Sequence, residues 1–220
     1  TTLSLERIFE KKQDWKKRSF SSSAGGCGAS IRCMPIGLFY HGIENRNKLM
    51  NISIESSRVT HNNPIGYLGG FASALFTALA IEKVHPEKWI KELMKYFDDN
   101  TIYNFIEEKI SKDFKDEVKF HIREAHNYYE GLLTYYNWVF TEDKLKSKIS
   151  MTYLPHRNYL FYKKFCDERQ YNPGANGLDS ILIAYDSLLQ SQGNFEKLIY
   201  LSMLHAGDSD STGCIAGAFF

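Results

Sequence analysis

Apolar residues recur along this chain at three- and four-residue steps, and nowhere do they alternate for the length of a strand. The pattern predicts an all-α fold. Trp89, Ile90, Leu93, Met94 and Phe97 make one face of a helix that opens after Pro86, a residue suited to a first helical turn. Ile102, Phe105, Ile106 and Ile110 continue the habit. Over residues 114–140, Phe114, Val118, Ile122, Ala125, Tyr129, Leu132 and Tyr136 form the stripe of a long amphipathic helix. Residues 21–37 read as a glycine loop leading into a tightly packed helix, and 49–60 as a helix with Leu49, Ile52 and Val59 inward. Two short helices are expected at 180–189 and 195–204.

The run YLGGFASALFTALAI, residues 67–81, is apolar on every face, which predicts a helix buried in the core. Interrupted by Gly69-Gly70, it is too short for a bilayer span. Pro64 marks the loop before it. Periodicity weakens over 144–176, a loop-rich excursion that ends in the turn-forming run Asn172-Pro173-Gly174-Ala175-Asn176-Gly177. At 220 residues, 43% of them hydrophobic, a single domain over 1–220 is the simplest arrangement.

Composition narrows the partners. The 27 basic and 26 acidic residues are spread along the chain, so it lacks the basic footprint that nucleic acid or an anionic membrane requires. The first residues are charged and contain no apolar signal segment, and the four cysteines form no CxxC pair. Reduced thiols in a cytoplasmic, monomeric protein are expected, without sulfur ligation of a metal.

Candidate chemistry lies in loops that precede helices. Ala24-Gly25-Gly26-Cys27-Gly28 can bring backbone N–H groups onto a phosphate at a helix N-terminus; the same glycines also suit a tight turn and close helix packing. Asp208, Asp210 and Ser211 offer oxygen ligands to a hard cation such as Mg²⁺, Mn²⁺ or Ca²⁺. Alternatively, Asp210 or Ser211 caps the last helix and Asp208 is a solvated acid. The pattern is not an EF-hand, which would continue with a third ligand, a central glycine and a distal Glu. The small residues 213–217 would let the helix that follows pack closely. His61, beside Asn62, Asn63 and Pro64, can meet a ligand's phosphate or hydroxyl, or can end a helix by bonding backbone carbonyls.

Taken in order, the runs GGCGASIRCMPIG, ESSRVTHNNPIGYLGGFASALFTA, GLDSILIAYD and HAGDSDSTGCIAG resemble the ADP-ribosylglycohydrolase family, in particular its ADP-ribosylarginine hydrolase branch. The resemblance extends from about residue 21 to 220 and fades between 83 and 171. It implies a compact all-α enzyme with a two-ion Mg²⁺ centre, acting on ADP-ribose attached to arginine of modified proteins. By matched position, Asp208, Asp210 and Ser211 correspond to the family's second metal-ligand cluster, Asp210 bridging and Asp208 terminal. Gly25, Gly26, Cys27 and Gly28 correspond to its diphosphate cradle, and His61 to the histidine near the bound ADP-ribose. Gly177 and Leu178 correspond to a loop lining the adenosine side, although that branch carries histidine where Leu178 stands.

The family's first metal cluster precedes the glycine loop, and residues 1–20 hold no acid-bearing Gly-Asp motif. The general base and the remaining ligands are therefore expected outside this chain, which reads as partial at both ends. Asp98, Asp99, Asp179 and Asp186 are the other acids in suitable company, with Asp186 expected in a packing role. Three functions stand at this stage. One is Mg²⁺-dependent cleavage of the N-glycosidic bond between ADP-ribose and arginine; another is a catalytically silent module that binds ADP-ribose or a partner. The third is a structural all-α domain whose loops only cap helices.

Overall fold

A computed structural model describes residues 14, 19–110, 114–142, 144–145 and 172–220. In chain order the helices are α1 (Gly28–Arg32), α2 (Met34–Phe39), α3 (Arg46–Arg58), α4 (Pro64–Ile81), α5 (Trp89–Asp98), α6 (Thr101–Ile110) and α7 (Val118–Val139). After a two-residue antiparallel hairpin, Phe140–Thr141 with Lys144–Leu145, come α8 (Asp179–Ser191), α9 (Phe195–Met203) and α10 (Ser209–Phe219). The fold is all-α. Residues 146–171, most of the expected excursion, lie outside the described residues, as does Cys166. Among the described residues Cys27, Cys33 and Cys214 are free thiols.

The architecture is built around α4. Asn63 starts it by accepting the Ile65 N–H at 2.9 Å, and Pro64 occupies the first turn, where its missing N–H leaves no bond unmade. The helix is apolar all round because neighbours cover it all round: α1, α2 and α3 on one side, α5, α7, α8 and α10 on others. It buries Tyr67, Leu68, Phe71, Leu75, Phe76 and Leu79, each contributing about 1.5–3 kcal/mol relative to exposure. Its 18 residues extend the apolar run by three at the N-terminal end, which brings the length close to a bilayer span; burial inside the protein, not length, marks it as a core helix. Small residues let the crossings close: a Cβ built on Gly70 would lie 2.1 Å from Ser57 Oγ, and one on Gly37 2.1 Å from the Ala74 carbonyl oxygen.

Three expected details differ. The helix after the glycine loop is divided at Cys33, because Pro35 offers no N–H to the Ile31 carbonyl and its ring crowds that carbonyl. In α3 the buried face is Leu49, Met50, Ser53, Ile54, Ser57 and Arg58, with Ile52 and Val59 only half-buried. Ser53 and Ser57 can take that face because each hydroxyl donates to a backbone carbonyl, Met50 at 3.1 Å and Ser53 at 2.6 Å, and their small volume admits α4. In α7 the seam is His121, Ala125, Tyr128, Leu132, Tyr135 and Val139, whereas Phe114, Val118, Ile122, Tyr129 and Tyr136 flank it. A tyrosine can serve on either face, and a partner makes the difference for one of them: Tyr135 goes inside, where its hydroxyl donates to buried Asp186 at 2.9 Å.

Candidate functional site

The loop 172–177 holds the other chemistry-bearing loops together. The Gly177 N–H donates to the Gly25 carbonyl and the Cys27 N–H to the Ala175 carbonyl, both at 2.9 Å, an isolated antiparallel bridge centred on Gly26 and Asn176. On its other side the Asp208 N–H donates to the Pro173 carbonyl at 2.8 Å. The loop's far end is fixed by reciprocal capping. Asn176 Oδ1 accepts the N–H groups of Leu178 and Asp179 at 2.8 and 2.9 Å, while Asp179 Oδ1 accepts the Asn176 N–H at 3.0 Å. Glycine at 177 is a steric requirement, because a Cβ there would come within 2.0 Å of the Ile65 carbonyl oxygen at the start of α4.

This arrangement brings the glycine loop against the acids. The Cys27 thiol donates to Asp208 Oδ2 at 3.2 Å and lies 3.6 Å from Ser211 Oγ, a contact between residues 181 apart in sequence. Burial pushes that thiol up to about 11, so it acts as a neutral donor. Asp208 occupies the N-cap position of α10, yet its side chain makes no capping bond. Asp210 is exposed; a hydrogen bond shared with Asp208, then the Ser211 N–H, hold its carboxyl below the usual carboxylate range. Ser211 is buried beside them. Thr212, which sequence reasoning did not single out, anchors the segment: its Oγ1 donates to the Ser202 carbonyl at 2.7 Å and lies 2.8 Å from His205 Nε2. Behind the acids, a Cβ on Gly213 would lie 2.5 Å from Met203 Cγ, whereas Gly217 faces open space and permits no packing of its own.

His61 joins the same cluster. Its N–H continues the end of α3 by donating to the Ser57 carbonyl at 2.8 Å, while its buried ring lies over the glycine loop. A Cβ on Gly28 would meet the ring at 3.1 Å, so glycine there makes room for the imidazole. Leu178 is placed differently. Its side chain is buried in the core and fills the space above Gly131 of α7, where an added Cβ would lie 2.4 Å from Leu178 Cδ2. An apolar side chain at 178 is drawn into that gap, so it is the backbone of 177–178 that borders the loop cluster.

Asp208, Asp210 and Ser211 suit a hard divalent cation in kind, being two close carboxylates and a hydroxyl. In number they make about half of a six-coordinate shell. Among the described residues no group of three or more His, Cys, Asp and Glu converges on one point. The other acids have structural partners: Asp98 accepts the Tyr129 hydroxyl, Asp99 the Thr101 N–H, and Asp179 and Asp186 are buried with the bonds described above.

Comparison with known proteins extends this geometry. The family model described as ADP-ribosylglycohydrolase matches residues 2–220. A Dictyostelium discoideum protein named ADP-ribosylhydrolase ARH1 is 35% identical over 229 residues, covering 93% of this chain and 55% of that protein. A protein of Acanthamoeba polyphaga mimivirus, L444, whose name carries the words ADP-ribosyl glycohydrolase, is 34% identical over 215 residues, covering 94% of this chain and 39% of that protein. The chain thus spans about half or less of the length of these relatives. With the family pattern matched over nearly its whole length, and the runs that carry it gathered around one loop, this chain belongs to the ADP-ribosylglycohydrolase family.

Proposed function

We propose that this chain provides the ADP-ribose-binding part, and one metal-ligand cluster, of an Mg²⁺-dependent hydrolase that cleaves the N-glycosidic bond between ADP-ribose and arginine on modified proteins. The observation that carries the reading is the Cys27–Asp208 contact, which makes the glycine loop and the acid cluster walls of one site. The diphosphate lies along the backbone of Gly25, Gly26 and Gly28, with His61 beside it. Asp208, Asp210 and Ser211 hold Mg²⁺ as part of a two-ion centre. When bound, the ion supplies Lewis-acid charge that stabilises the oxocarbenium-like transition state of glycoside cleavage. The chain's own share is to keep Asp210 ionised, to orient Asp208 through the thiol, and to hold both next to the ligand's ribose. Arginine as the acceptor rests on resemblance to the ADP-ribosylarginine hydrolase branch.

Calorimetric titration with ADP-ribose, with Mg²⁺ or with a chelator, tests the site. Release of free ADP-ribose from an ADP-ribosylated arginine peptide tests the chemistry. Binding that strengthens with Mg²⁺ and is lost in Asp210→Asn is the expected result. Chelator-insensitive binding refutes the metal role of these acids, and Mg²⁺-dependent binding without release identifies a binding module instead of a hydrolase.

A further inference from the structure

Arg32, Thr60 and His61 form a line of hydrogen bonds that ends at the glycine loop. Arg32 Nη1 donates to Thr60 Oγ1, while Nη2 is anchored on the Ser56 and Ser57 carbonyls at 2.7 and 3.3 Å. Thr60 Oγ1 in turn lies 2.7 Å from His61 Nδ1, and both residues are buried. The direction of each bond follows from what its atoms carry. A guanidinium has only hydrogens to offer, so the Thr60 oxygen accepts from it, and the hydroxyl's single hydrogen is left for the second contact. That hydrogen is available to Nδ1; with Nδ1 accepting it, a neutral ring carries its proton on Nε2. Nε2 is the edge turned to the glycine loop: Cβ atoms built on Gly28 and Gly26 would lie 3.3 and 3.6 Å from it.

We infer that Thr60 and Arg32 are positioning residues that fix His61 as the Nε2–H tautomer, so that the imidazole presents a hydrogen-bond donor to an anionic oxygen lying on the glycine loop. The opposite tautomer would turn a lone pair toward that oxygen and repel it. Arg32 is exposed, and the Thr60 hydroxyl bonds Arg32 and the ring, so both act through the imidazole. The identity of the ligand rests on the function proposed above; the tautomer does not.

The test is ¹⁵N NMR of the histidine-labelled chain, with the His61 ring assigned by loss of its signals in His61→Gln. The expected wild-type pattern is a neutral ring protonated at Nε2 with an unprotonated Nδ1. Thr60→Val, which keeps the shape without the hydroxyl, should give a mixture of tautomers and weaken ADP-ribose binding by about tenfold, the size of one hydrogen bond lost in part. Thr60→Ser should restore both readouts. A wild-type ring protonated at Nδ1 overturns the inference whether or not any variant folds, as does a Thr60→Val ring identical to wild type. A chain whose tautomer follows Thr60 but which binds no ADP-ribose upholds the positioning and overturns the ligand instead.

Discussion

Helices α4 and α10 both begin with a side chain able to cap, and they use it in opposite ways. Asn63 is buried, accepts the Ile65 N–H at 2.9 Å and donates to the Ser21 carbonyl at 3.2 Å, so both ends of its amide are committed to the fold. Asp208 holds the same position on α10 and caps nothing. Its carboxylate faces Cys27 and Asp210, and the backbone does the anchoring: its N–H bonds the Pro173 carbonyl at 2.8 Å, and the Thr212 hydroxyl lies 3.1 Å from its carbonyl oxygen. One helix start is therefore held by its side chain, the other by main chain and by a neighbour. Where the main chain suffices, the carboxylate is not committed to the cap.

Asp208→Ala is the strongest way to break this contrast. If the acid serves the site, Mg²⁺-dependent ADP-ribose affinity should fall at least about a hundredfold, while the melting temperature moves by no more than about 2 °C, since no cap is lost. Titration calorimetry and a thermal melt together decide it; a large drop in melting temperature would mean that Asp208 supports α10 after all.

A pH series probes the fold-serving region next. His121 is packed beneath Phe20 with its Nδ1 3.3 Å from the hydroxyl of Tyr67, in the first turn of α4, and burial holds its imidazole down to about 3 from an ordinary 6.5. Between those values the unfolded chain carries the extra proton, so stability is lost as pH falls, by up to about 1.4 kcal/mol per unit or roughly 2 kcal/mol between pH 6.5 and 5. Denaturant titrations at several pH values should show that slope, and His121→Leu should flatten it. A wild-type slope that survives the substitution would place the titrating group elsewhere.

The smallest effect belongs to the amide cap. Asn63→Ala should cost about 1 kcal/mol of stability, typical of a lost cap, and leave ADP-ribose affinity of the folded protein within about twofold. A larger change in affinity than in stability would erase the distinction between the two helix starts.

How far the sequence could be read depends on how local each property is. The helix at residues 89–97 is legible in full, because Trp89, Ile90, Leu93, Met94 and Phe97 all fall on one buried face, and the one polar atom among their side chains, the Trp89 indole N–H, donates to the nearby Val84 carbonyl. The seam of α7 is not, because Tyr128, Tyr129, Tyr135 and Tyr136 have the same composition, and two of them are told apart by tertiary partners: Asp186 for Tyr135, Asp98 for Tyr129. The candidate acids are legible as a run of oxygen ligands, and the glycines as a loop near a helix start. Thr60 and Arg32 carry no signal of their own, since a threonine at the end of α3 and an arginine on α1 are ordinary until they are placed side by side.

Helical class, the buried nature of α4 and the family pattern all follow from spacing and identity along the chain, because a 3.6-residue period and a matched run are properties of neighbouring residues. The site does not. Cys27 and Asp208 are 181 residues apart, and their meeting depends on the loop 172–177 bonding to both of their segments at once. The core location of Leu178 was decided by the gap above Gly131, and the uncapped carboxylate of Asp208 by a carbonyl on another loop. Each is a contact between segments distant in sequence, for which local pattern holds no record and only the packed chain supplies the partner.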